Sequence, residues 1–135
     1  MRAVVDTNVV AYYLLHNAEH EIETREFWAG LREPLAPALW EAEFANVVWM
    51  SVRSGVVPAA DAPARLELAR RLGIHTVPTR SLWHGALLRA VRTGIAVYDT
   101  LFIELAEREG VSLVTFDRKL LQACPSIACR PGETL

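Results

Sequence analysis

The chain is expected to fold as an α/β domain, three layers (α/β/α) around a central, mainly parallel sheet. Two observations lead there: short apolar runs alternate with helical patterns, and no two-residue hairpin signal joins any pair of runs. A third is composition, since hydrophobic residues make up 52%, enough for a core covered on both faces of the sheet. At 135 residues, with no internal repeat, low-complexity stretch or linker, residues 1–135 read as a single domain.

Taken in order, Ala3–Asp6 reads as a buried strand and Val9–His16 as a helix. Glu19–Leu31 is a second helix, carrying Ile22, Phe27 and Trp28 and ended by Glu33-Pro34. Leu35–Pro37 is a brief extended piece, followed by a long helix over Leu39–Arg53 that Gly55 closes. Pro58–Leu72 is helical, with Leu66, Leu68, Ala69 and Leu72 as its apolar positions and Gly73 as its stop. Ile74–Val77 is a strand, and Ser81 caps a helix to Arg92 that stops at Gly94. Asp99–Glu109 is the next helix, with Gly110 behind it. Ser112–Phe116 is a strand, Arg118–Ala123 a turn or two of helix, and Ile127–Cys129 a last short strand.

Composition excludes several classes. No apolar run reaches the ~18 residues that span a bilayer. The opening "MRAVVD" meets an acid after three apolar residues, unlike a secretory leader, so a cytoplasmic protein with no membrane partner is expected. Cys124 and Cys129 form a lone C-x4-C pair without a nearby histidine, too few ligands for zinc, and reduced thiols are expected. The net charge of −2 carries no general signal for nucleic acid, although Lys119 is the only lysine among 14 basic residues.

The acids are more informative. In open parallel sheets, sites form beyond the carboxyl ends of the strands. Asp6 ends the first strand, Asp117 ends "SLVTF", and Asp99 opens a helix after a short apolar approach, so the three converge on one edge of a parallel sheet. A fourth acid lies within "ALWEAEFANVVWM", residues 38–50, a helix apolar nearly all round. Glu43 and Asn46 share a face there, but Glu41 has an equal claim on periodicity. Each aspartate taken singly reads as a helix cap. Together, four carboxylates repel by roughly 4 kcal/mol per pair at ~4 Å and an effective dielectric near 20. A hard divalent cation removes that cost, binding one or two carboxylates, several waters and substrate phosphate oxygens. With no nucleophile, glycine-rich loop or zinc set beside them, the acids point to metal-dependent phosphodiester hydrolysis.

Four short motifs then carry a resemblance. "VVDTNVV" (residues 4–10), "EFANVV" (43–48), "VYDTLFIELA" (97–106) and "LVTFDRKL" (113–120) occur in the order found in PIN-domain ribonucleases. In size and motif order the chain most resembles the VapC-type toxins of toxin–antitoxin pairs, over nearly its whole length. The resemblance selects Glu43 over Glu41 and implies an endoribonuclease that uses Mg²⁺ or Mn²⁺ on single-stranded or loop RNA. It implies that Asp6, Glu43, Asp99 and Asp117 bind metal, directly or through water. Thr115, Asn8 and Asn46 would orient carboxylates or water by hydrogen bonds. It also implies a homodimer, held inactive by a cognate antitoxin. The alternatives are a PIN nuclease of RNA maturation without an antitoxin, and a silent module that binds RNA or protein. Arg118 and Lys119 stand where some relatives carry a further acid, which bears on whether a second metal binds.

The remaining candidates are weaker. His16, His20, His75 and His84 share no ligand spacing. Trp28, Trp40, Trp49 and Trp83 could stack bases but lie in helical patterns, which favours core or dimer packing. Tyr12, Tyr13, Leu14 and Leu15 form an apolar block, read equally as core or as a partner surface. Arg80, Arg89 and Arg92 read as a solvated helix face rather than as phosphate contacts.

Overall fold

The computed structural model describes residues 1–15 and 17–134. Five strands, β1 (Arg2–Val5), β2 (Glu33–Pro37), β3 (His75–Val77), β4 (Leu113–Val114) and β5 (Ala128–Cys129), form one sheet in the order β3-β2-β1-β4-β5. Every pairing is parallel, with Val4 opposite both Leu35 and Leu113. The helices are α1 (Thr7–Leu14), α2 (Glu21–Gly30), α3 (Leu39–Arg53), α4 (Ala62–Arg70), α5 (Thr79–Thr93), α6 (Val97–Glu109) and α7 (Arg118–Ala123). With the right-handed crossovers that parallel sheets adopt, this strand order puts α1–α4 on one face of the sheet and α5–α7 on the other. Val4, Val5, Val9, Val10, Phe44 and Phe102 are fully buried at the centre. The expected three-layer class is what forms.

Several boundaries move for local reasons. The first helix begins at Thr7, two residues early, because the Asp6 carboxylate accepts the Thr7 N–H and sets the start. Its expected end, His16, lies outside the described residues. The Pro58–Leu72 helix splits into a 3-10 turn at Ala59–Asp61 and α4, since Pro63 lacks an N–H and is tolerated only in a first turn. Ser81 does not cap α5, which starts at Thr79 after extended Pro78. The Ser81 hydroxyl instead donates to the Pro78 carbonyl at 2.7 Å. Gly110, at φ +64°, ends α6 in the left-handed conformation that the sequence pattern required.

Among the described residues no helix is long and apolar enough to cross a membrane. Cys124 and Cys129 are unpaired and half-buried.

Candidate active site

The strand order reverses between β1 and β4, so the crevice at their carboxyl ends is the place where such a sheet opens. Both strands deliver an acid there. Asp6 follows Val5, and its N–H donates to the Val114 carbonyl at 2.9 Å, which locks the end of β1 to β4. Asp117 follows Thr115-Phe116 and caps α7, its carboxylate accepting the Lys119 N–H at 2.8 Å.

Asp6 is the anchor of the arrangement and only 9% exposed. One carboxylate oxygen accepts the Thr7 N–H at 2.7 Å, and the other accepts the hydroxyl of fully buried Thr115 at 2.7 Å. The same Thr115 oxygen accepts the Asp117 N–H at 2.9 Å, so one hydroxyl fixes both acids. Asn8 braces the pair: its amide lies 3.5 Å from Asp6 and from Thr115, and its carbonyl accepts the Phe116 N–H at 3.2 Å. Thr115 and Asn8 thus both lie against the Asp6 carboxylate.

Glu43 reaches the crevice from α3 and is held by a residue that reading passed over. The Thr7 hydroxyl donates to its carboxylate at 2.8 Å. Thr7 sits beside Asp6 in sequence, but a bond across 36 residues leaves no local signal. Glu41 is exposed and lines a concavity of about 310 Å³ between α3 and α4, with Phe44, Leu66 and Ile74. Two residues along a helix lie about 200° apart, so only one of the two glutamates can face the crevice. Asn46 does not join the acids. It is exposed, and its amide points to the Met50 sulfur at 3.7 Å.

Asp99 arrives differently from the expectation. It neither ends a strand nor caps a helix: it is the third residue of α6, whose cap is Ala96. It is half-buried on the crevice side.

The electrostatics bind the cluster together. Burial pushes the Asp6 carboxyl up to about 7, against the pull of its Thr115 and Thr7 hydrogen bonds, and Glu43 and Asp99 raise it further. Burial also raises Glu43; its bond from Thr7 opposes this, and Asp99 adds to it. Asp99 is raised by burial and by Asp117, with Lys119 acting the other way. Each acid thus feels another, and Lys119 is the one cation that acts on any of these three. Among the described residues no three His, Cys, Asp or Glu side chains close around a single point as ligands of one ion. An ion that takes one or two carboxylates and completes its shell with water does not need that closure. An all-oxygen donor set with excess negative charge fits such a hard cation.

The other candidates lie outside the cluster. Tyr12, His20 and Phe116 form a triangle, with His20 stacked on Tyr12 (4.9 Å) and tilted against Phe116 (4.4 Å), and Tyr13 stacks on Trp28 (5.7 Å), so the α1 tyrosines are packed rather than free. His75 and His84 are exposed. Trp40 is core, whereas Trp49 and Trp83 are each 53% exposed beneath Arg53 and Arg80. Arg92 is exposed. Arg89 is not a solvated residue: it is bound to Glu104 at 2.9 Å and to Glu107 between α5 and α6.

Comparison with known proteins agrees with the fold. The PIN domain family model matches residues 3–124. Ribonuclease VapC3 of Pyrobaculum aerophilum is 28% identical over 132 residues, covering 94% of this chain and 98% of that protein. Ribonuclease VapC3 of Mycobacterium tuberculosis is 35% identical over 91 residues, 67% of this chain and 65% of the relative. The crystal structure of VapBC2 from Rickettsia felis, bound to a DNA fragment from their promoter, superposes with a TM-score of 0.67. It is 15% identical and covers 96% of this chain and 98% of that one. With the matched region reaching four of the five strands and all four acids, the chain belongs to the PIN domain family.

Proposed function

We propose that this protein is a metal-dependent endoribonuclease that hydrolyses RNA phosphodiester bonds, and the toxin of a type II toxin–antitoxin pair. The observation that carries the reading is the gathering of Asp6, Glu43 and Asp99 at the switch point, where burial first and neighbouring acids second raise all three carboxyls, Asp6 to about 7, and among the described residues no cation is bonded to Asp6. A fold that spends this much electrostatic energy in one crevice recovers it when a cation binds.

In this reading Asp6, Glu43, Asp99 and Asp117 hold Mg²⁺, or Mn²⁺, directly or through water. A bound ion would supply a water of lowered pKa and offset the charge that grows on the phosphate. The chain's own residues do the positioning. Thr115 keeps Asp6 and Asp117 in register, Thr7 aims the Glu43 carboxylate, and Asn8 ties the α1 turn to the α7 turn. Asp6, buried and doubly hydrogen-bonded, is the rigid ligand, whereas half-buried Glu43 and Asp99 are open to water and substrate. The reading places Asn46 on the outer face of α3, away from the ion.

A ribonuclease named VapC3 and a VapBC2 complex among the relatives support an antitoxin partner. The outward stripe of α5, with Trp83, Leu87, Leu88 and Val91 all more than half exposed, suits a homodimer. The test is cleavage of a single-stranded RNA in Mg²⁺ with and without EDTA, followed by titration with the product of a small adjacent reading frame. Cleavage that persists in EDTA would overturn the metal reading, and a missing or inert neighbour would favour an RNA-maturation role.

A further inference from the structure

An RNA strand is a polyanion, and the proposed site is a cluster of carboxylates. Even with one divalent ion bound, four acids leave a net negative crevice that repels the phosphates it must admit. A fixed cation on the rim would solve this, and the basic residues are mostly committed elsewhere. Arg2, Arg25, Arg70, Arg89, Arg108 and Arg130 are in ion pairs with glutamates. Arg53 and Arg80 lie over Trp49 and Trp83.

Lys119 differs. Among the described residues it has no carboxylate within ion-pair distance, and its side chain is exposed. Its backbone is nevertheless fixed. Its N–H donates to the Asp117 carboxylate at 2.8 Å, and the next residue, Leu120, is fully buried. Its ammonium lies close enough to Asp99 to act against the rise of that carboxyl. An ammonium on a flexible stem is also suited to a phosphate contact that ignores base identity.

We propose that Lys119 is a substrate-binding residue whose ammonium engages an RNA phosphate beside the bond that is cut, on the rim between Asp99 and Asp117. This rests on the ribonuclease reading. Binding of a single-stranded RNA oligonucleotide, followed by fluorescence anisotropy over a KCl series, tests it in an Asp6→Asn background expected to cut on the order of 10³-fold more slowly.

Adding Lys119→Ala should weaken binding roughly 3- to 10-fold and flatten the log Kd–log[KCl] slope by about 0.7, the loss of one phosphate contact. Lys119→Arg should keep the slope, and Arg118→Ala, exposed and acting on none of the acids, should change binding less than about twofold. An unchanged slope in Lys119→Ala, or an equal loss in Lys119→Arg, overturns the proposal. With the wild-type acids and Mg²⁺, Lys119→Ala should raise KM and leave kcat within about threefold; a fall in kcat alone also overturns it. If the wild-type protein binds RNA with a Lys119-dependent slope but never cuts it, the nuclease reading falls and the phosphate contact stands.

Discussion

Two regions of this molecule bury acidic residues, and they treat them in opposite ways. Between α5 and α6, Glu104 is only 12% exposed, yet it is bound by Arg89 at 2.9 Å and Arg108 at 2.6 Å. Those arginines hold its carboxyl below the usual range against the effect of burial. Gly85 makes room for it, since a Cβ there would sit 2.5 Å from the Glu104 carboxylate. At the carboxyl edge of the sheet, Asp6, Glu43 and Asp99 have hydroxyls, amides and other acids for neighbours, with Lys119 opposing the rise only at Asp99, and all three are raised. The first arrangement is complete as folded. The second is left incomplete by the fold, the condition expected of a site that waits for a ligand.

The contrast breaks most sharply on substitution of an anchor acid. Asp6→Asn should reduce RNA cleavage on the order of 10³-fold while the protein melts at the same temperature or higher. Single-turnover cleavage and calorimetry on one preparation check this, and wild-type cleavage by the variant would remove Asp6 from the site.

Stability against pH comes next. Asp6 titrates near 7 when folded and near 3.8 otherwise. The folded state therefore binds the proton more tightly than the unfolded one. Its contribution is fully present below about pH 4 and lost as pH rises through 7, roughly 4 kcal/mol at most. Urea unfolding of the metal-free protein between pH 4 and 8 should show this decline, and Asp6→Asn should lose it. A stability that rises over the same window in wild type but not in Asp6→Asn would reverse the assignment.

The complete region should fail in the other way. Arg89→Ala leaves Glu104 short of a partner between two helices and should cost about 3 kcal/mol of stability. Activity per folded molecule should be unchanged, as measured by cleavage at a temperature where both proteins are native.

The smallest effect falls on the residue that aims an acid. Thr7→Val keeps the shape but removes the bond to Glu43, and should lower activity roughly 10- to 100-fold with little change in melting temperature. Addition of Mg²⁺ should raise the melting temperature of wild type and do so less in Thr7→Val.

Legibility follows the range of each interaction. Asp6 and Asp117 were readable both as helix caps and as strand-end acids, and the structure makes them both at once. Each caps through a bond to a residue one to three positions on, so local pattern contains that information. Asp99 was expected at the same edge as a residue that opens a helix, and it stands in the first turn of α6. No strand ends next to it in sequence, so only the packing of α6 brings it to the crevice. Asn46 was a face judgement on a helix with too little polarity to orient it. The apolar residues Trp49 and Met50 turn outward, and Asn46 turns with them.

What the sequence determined alone was everything with a short period. It set the alternation that makes the sheet parallel, the glycine stops, the buried valines around Asp6, and the order of the motifs. The tertiary structure alone decided that Thr7 holds Glu43, that Arg89 is spent on Glu104, and that one threonine hydroxyl fixes two acids. Those bonds join residues 15 to 109 positions apart. A pairing over such distances is settled by packing, because the local chain offers no preference that could announce it.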